Sequence, residues 1–126
     1  MISLSLSILK ETFAICRFSP TEKIPDWTLK GSFYSVTHTD DELSVVCPQN
    51  LVENAEKIDK GWKVFKVEGP LDFSLVGIMA NLSSTLASGG VGVFVISTYD
   101  TDYVLVKKEN LEKAIELLSK AGHKII

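Results

Sequence analysis

Several things are scarce in this chain. Its 126 residues include two cysteines and two histidines. No apolar run reaches the ~20 residues that a membrane-crossing helix needs, so no membrane partner is expected. Cys16 and Cys47 each lie inside an apolar run, where a thiol serves as a small buried hydrophobe. Neither a C-x-x-C spacing nor a histidine pair marks a metal site, and no cofactor is expected. Basic surplus is also missing: 13 lysines and arginines face 16 acids, a net charge of -3. The short runs "KVFK" and "VKKE" make no basic stripe, which argues against a nucleic-acid partner. The opening "MISLSLSILK" alternates polar with apolar and lacks a basic leader, so it reads as strand and not as a signal peptide. A soluble cytoplasmic protein is the expectation.

Catalytic apparatus is equally thin. His38 and His123 show no partner in the pattern around them. No G-x-S-x-G elbow is present, and thiols in apolar runs make poor nucleophiles. "GGVG" follows a helical stretch instead of preceding one and lacks the G-K-[ST] ending of a phosphate loop. No nucleophile, base and orienting group stand together, so an enzyme is not expected.

What is present is a foldable chain, 45% hydrophobic and 23% charged. Leu4 to Phe18 alternates like strand, with a turn at Lys10-Glu11. "PTEKIPDW" reads as loop. "SFYSVTH" and "ELSVVC" form a hairpin around Thr39-Asp40-Asp41. "PQNLVENAEKI" predicts a short helix with Pro48 near its start. "GWKVFKVEG" alternates as a strand. Leu75 to Ser88 carries apolar residues at helical spacing, with Asp72 or Ser74 as candidate caps and a glycine of Gly89-Gly90 ending it. "VGVFVIST" and "DYVLVKK" are strands. "ENLEKAIELLSKAG" is an amphipathic helix with Leu111, Ala114, Ile115, Leu118 and Ala121 on one side, stopped by Gly122. "HKII" closes as a strand. From about Trp62 to Ile126 the order is β-α-β-β-α-β, the ferredoxin-like plan: four antiparallel strands with two helices on one face.

The two hairpins resemble each other. "SVTHTDDELSVVCPQNLVENA" and "ISTYDTDYVLVKKENLEKA" both run polar turn, acid, apolar strand, then Asn-Leu. Matching Asp41 to Asp102 gives a period of 61, and matching Asn50-Leu51 to Asn110-Leu111 gives 60, with one indel. Such a period predicts a duplicated small domain. The expected division is 1–60, a degenerate first repeat, and 61–126, a complete second one. The first repeat carries only "SPTEKIPDWTLKGS" where the second has its long helix.

Asp72-Phe73-Ser74-Leu75-Val76-Gly77-Ile78, the helix after it, and Ser97-Thr98-Tyr99-Asp100-Thr101-Asp102 resemble ACT domains. The chain is similar to stand-alone tandem-ACT proteins akin to the regulatory end of aspartate kinases, and to the ACT repeats of animal cytosolic arginine sensors. The resemblance implies an α+β fold of two packed ferredoxin-like repeats, the first without a long first helix. It implies a regulatory module that binds a small effector, typically an amino acid, where two ACT units meet. Contacts would come from Asp72, Phe73, Ser74, Leu75, Gly77 and Ile78, from Ser97, Thr98, Tyr99, Asp100, Thr101 and Asp102, and from Ser35 and Val36 of the other repeat. A homodimer and a regulated partner enzyme are the expected company.

The chemistry of these residues suits a zwitterion. A helix amino terminus offers unpaired N–H groups and partial positive charge to a carboxylate. Asp100 or Asp102 suits an ammonium. Each piece also has a plain structural role: Asp72 as helix cap, Gly77 as packing glycine, Asp100 and Asp102 as turn acids. The competing expectation is a ligand-free interaction module that dimerises through its sheets.

Overall fold

A computed structural model of the protein describes residues 3–68 and 76–126. Its strands are β1 (Ser5–Ile8), β2 (Phe13–Phe18), β3 (Ser35–His38), β4 (Leu43–Pro48) and β5 (Lys57–Val67), followed by helix α1 (Ile78–Ser88), β6 (Phe94–Ser97), β7 (Asp102–Lys107), helix α2 (Leu111–Lys120) and β8 (Lys124–Ile125). Single 3-10 turns occupy Asp26–Lys30, Gln49–Leu51 and Lys108–Asn110. The helix expected over "PQNLVENAEKI" is therefore one turn only. Its last residues are drawn into β5 instead, where Lys57 pairs with Arg17 and Ile58 with Cys16.

The residues divide into two units: Met1–Lys10 with Lys63–Ile126, and Glu11–Trp62. The first ten residues thus join the carboxyl-terminal half. The reason is strand pairing. β1 runs antiparallel to β5, with Leu6 opposite Val67, and parallel to β8, with Leu6 opposite Ile125.

In that unit the sheet order is β6-β7-β5-β1-β8. This is the ACT-like ferredoxin fold with one addition. The four antiparallel strands expected from the sequence become a mixed sheet, because the closing "HKII" strand pairs with the inserted β1. The core gathers Leu6, Phe65 and Val67 from the sheet, Leu82 and Leu86 from α1, Val104 and Val106 from β7, and Ala114 and Leu118 from α2. Burying each leucine or phenylalanine contributes roughly 1.5–3 kcal/mol. Both helices stop by the same device. Val91 N–H donates to Leu86 O and Gly90 N–H to Ala87 O, with Gly90 at φ +79°. His123 to Leu118 and Gly122 to Ser119 repeat the pattern after α2. On the solvent side of α2, Lys120 Nζ donates to Glu116 at 2.9 Å.

The Glu11–Trp62 unit orders its strands β3-β4-β2-β5, with the first residues of β5 at the end of that row. It contains 3-10 turns but no α-helix among the described residues, as a degenerate repeat predicts. Its core joins Ala14, Cys16 and Phe18 to Trp27, Leu43, Val45 and Cys47. Phe13 meets Phe33 edge-on at 5.6 Å, and Phe18 lies tilted against Trp27 at 6.1 Å.

The two hairpins correspond element by element, at a different spacing from the one read in the sequence. β3 maps to β6 (35 to 94), β4 to β7 (43 to 102), and the 3-10 turn at Gln49 to that at Lys108 (49 to 108), a constant shift of 59. Strand register agrees: Ser35 pairs with Val46 as Phe94 pairs with Leu105. No indel is needed. The structural twin of Asp102 is Leu43, not Asp41, and the shared turn residues are Thr39 and Thr98.

Candidate functional site

The stretch from Ser97 to Asp102 is the tight turn between β6 and β7, closed by the Ser97–Asp102 pair. Thr98 builds it. Its N–H donates to Thr101 O at 2.8 Å, its hydroxyl donates to the same carbonyl at 3.0 Å, and that hydroxyl accepts Thr101 N–H at 3.3 Å. Thr39 does the same in the other unit, donating its N–H to Glu42 O at 2.9 Å and accepting from Asp41 and Glu42 N–H at 3.1 Å. In the second turn Thr101 is buried, and its hydroxyl donates to Val67 O at 2.6 Å.

Tyr99 is 81% exposed and Asp100 is exposed as well. Asp102 opens β7 half-buried. The side-chain hydrogen bonds across the turn come from the Thr98 hydroxyl.

Asp72, Phe73, Ser74 and Leu75 lie outside the described residues. Gly77 and Ile78 stand at the amino end of α1. The helix begins at Ile78, later than the pattern from Leu75 suggests, and Gly77 is its cap residue at φ 80°, ψ 2°. As a glycine it brings no capping side chain of its own; the candidate caps Asp72 and Ser74 lie outside the described residues. A left-handed residue cannot continue a right-handed helix, and glycine takes that conformation without a Cβ penalty. Space is not the reason for this glycine: a Cβ there would meet nothing within 4 Å. Ile78 turns inward and is 6% exposed in the core.

Ser35 and Val36 lie in the other unit, on β3, opposite Val46 and Val45, and both are half-buried. Gly77, Ile78 and Ser97–Asp102 all belong to the unit that contains both helices.

A model of the ACT domain family matches residues 57–120. The chain belongs to the ACT-domain family. A second family model, of an N-terminal domain, matches residues 11–55. A crystal structure of an Agobacterium tumefaciens protein is 41% identical, covering 100% of this chain and 94% of that one with a TM-score of 0.94. The human "Cytosolic arginine sensor for mTORC1 subunit 1" is 32% identical over 60 residues, 47% of this chain and 18% of the sensor. The match therefore spans less than a fifth of that relative. The ligand-free regulatory subunit of aspartate kinase from Thermus thermophilus shares the fold, with a TM-score of 0.61 at 12% identity, over 90% of this chain and 96% of that one.

Within the ACT unit, His123 has partners that the sequence around it does not show. His123 is 5% exposed. Its Nδ1 accepts Leu4 N–H at 3.1 Å, so Nε2 carries the proton and donates to Asn81 Oδ1 at 2.8 Å. The ring ties the chain before β1 to α1 and to the turn before β8. Burial holds its pKa below the ordinary histidine value. Asn81 in the first turn of α1 is the available signal, since an amide on an apolar helix face needs a partner. No group of three or more metal-ligating side chains occurs among the described residues. No described helix is long and apolar enough to cross a membrane.

Proposed function

We propose that this ACT protein is a regulatory sensor without catalysis of its own, and that its effector is an amino acid. The observation that carries the reading is the Thr101–Val67 hydrogen bond. It fastens the β6–β7 turn to the carboxyl end of β5. In chain order α1 follows that end of β5 and β6 leads back to the turn, which supports a site shared by the turn and the amino end of α1.

On this reading two complementary groups share one end. The first-turn N–H groups of α1, whose cap residue Gly77 has no side chain to offer them, suit the effector's carboxylate. Asp102 suits its ammonium through charge-assisted hydrogen bonds, with Asp100 as the outer acid. Gly77 leaves the backbone open to close approach. The names of the relatives, an arginine sensor and an aspartate kinase regulatory subunit, support an amino-acid effector in kind. Equilibrium dialysis against an equimolar mixture of the twenty amino acids tests this. One or a few should be retained by the protein and released by Asp102→Ala; no retention would overturn the reading.

A second reading has its own observation. β6 pairs only with β7 among the described strands, carries no charge, and exposes 40% of Val95. Such an edge suits pairing with a second copy. Light scattering decides whether the chain dimerises, and whether amino acids change that.

A further inference from the structure

The Glu11–Trp62 unit holds a cavity of about 590 Å³ between the Phe18–Trp27 segment and residues 54–56. That is the size of an ordinary small-molecule site. Phe18 and Trp27 form an aromatic floor, tilted against each other at 6.1 Å. Ile24 and Pro25 add an apolar wall, with Ile24 45% exposed. The charged groups on the lining are Glu22, Asp26 and Glu56 against Lys23. Glu56 is occupied, because Arg17 Nη1 lies 2.5 Å from its Oε1. Among the described residues, the carboxylates of Glu22 and Asp26 have no hydrogen-bond or ion-pair partner.

We propose that this cavity is a second binding site, for a small organic amine with an apolar body. The aromatic floor and the Ile24–Pro25 wall bury the body, which is what an apolar surface of this kind gains most from. Glu22 and Asp26 receive the ammonium through charge-assisted hydrogen bonds. Glu22 and Asp26 outnumber Lys23 on the lining, so the charge left over is negative and the site favours an amine over the corresponding acid. Trp27 joins the floor to the unit's core, which places a reporter ring at the base of the site. The site lies wholly within residues 18–56 and uses none of the groups proposed for the amino-acid effector.

Nuclear magnetic resonance on the labelled full chain tests it, with phenethylamine as probe and phenylacetate as the same body carrying the opposite charge. Phenethylamine should shift the Trp27 indole N–H and the amides of Ser19, Ile24 and Ala55 in a saturable way, and phenylacetate should not. The double variant Glu22→Gln/Asp26→Asn should bind phenethylamine about tenfold more weakly, from the loss of two exposed charge contacts. Asp102→Ala should bind it unchanged, which separates this site from the effector site. Absence of a saturable shift, equal shifts from phenylacetate, or full affinity in the double variant would overturn the proposal. The phenylacetate comparison needs no variant, so a folding defect in the double variant leaves the test intact.

Discussion

Thr101 and Val67 stand 34 residues apart in the chain and are joined by a 2.6 Å hydrogen bond, hydroxyl to backbone carbonyl. The bond is buried, and it fixes the tip of the β6–β7 hairpin against the end of β5. Its twin position, Glu42, has no hydroxyl, so the anchor belongs to the second repeat alone.

Replacing Thr101 with valine keeps the shape and removes the donor. The Val67 carbonyl loses that partner in a buried place, at a cost of about 1–3 kcal/mol. Thr101→Ser keeps the donor and should recover most of the loss. Urea denaturation of the three proteins measures the difference.

Gly77→Ala should destabilise the protein by roughly 1–2 kcal/mol, because the residue sits at φ +80° and an L side chain resists that conformation. Gly92→Ala is the control. Its Cβ would also meet nothing within 4 Å, but its φ is not positive, so the change should stay within about 0.5 kcal/mol. Equal effects at the two positions would remove the backbone explanation for Gly77.

His123 sets a pH dependence. Burial lowers its folded pKa, so the unfolded chain binds a proton that the folded protein refuses. Protonating Nδ1 would also break the bond from Leu4 N–H. The contribution is intact above the unfolded value of about 6.5 and is lost as pH falls below it, by no more than about 1.4 kcal/mol per pH unit. His123→Gln should be less stable at neutral pH and show a flatter profile between neutral and mildly acid pH. Parallel profiles would show that the ring does not titrate as its burial implies.

Both thiols should be inert in the folded protein. Cys47 is pushed up to about 11, by burial first and then by the neighbouring Cys16 thiol. Burial also raises Cys16, partly offset by Lys60. An aromatic disulfide reagent at mildly alkaline pH should label neither quickly, and both once denaturant is added. Rapid labelling without denaturant would mean that the Glu11–Trp62 unit opens on its own.

The legible parts of the fold were those with strong local patterns. α2 announces itself through Leu111, Ala114, Ile115 and Leu118, and Gly122 ends it as expected. The two hairpins were legible too, and so was the missing first helix of the first repeat. Strand partnership was not. "SLSI" shows that β1 has an alternating surface, but the same pattern would serve at any place in the sheet, so its insertion between β5 and β8 left no local mark. Matching the turn acids gives a spacing of 61 and matching the Asn-Leu pairs gives 60, whereas the strands themselves repeat at 59. Acids at a turn are interchangeable, whereas Thr98 and Thr39 are held by the turn's own hydrogen bonds. The candidate site was partly legible for a similar reason. Ser97–Asp102 could be located as a turn, but the part played by Thr101 depends on Val67, far away in sequence. The cap at Gly77 was hidden because a glycine in a helical pattern reads as part of the helix.

A thermal-shift screen of the twenty amino acids at millimolar concentration, run side by side on the wild type and Asp102→Ala, is the most direct measurement of the proposed function. One or a few amino acids should stabilise the wild type, by about 2.7 kcal/mol at a hundred times the dissociation constant. Asp102→Ala should keep its unliganded melting temperature and lose the shift. A wild type that none of the twenty moves, or a variant that responds as fully as the wild type, would contradict amino-acid sensing at this end of the ACT unit.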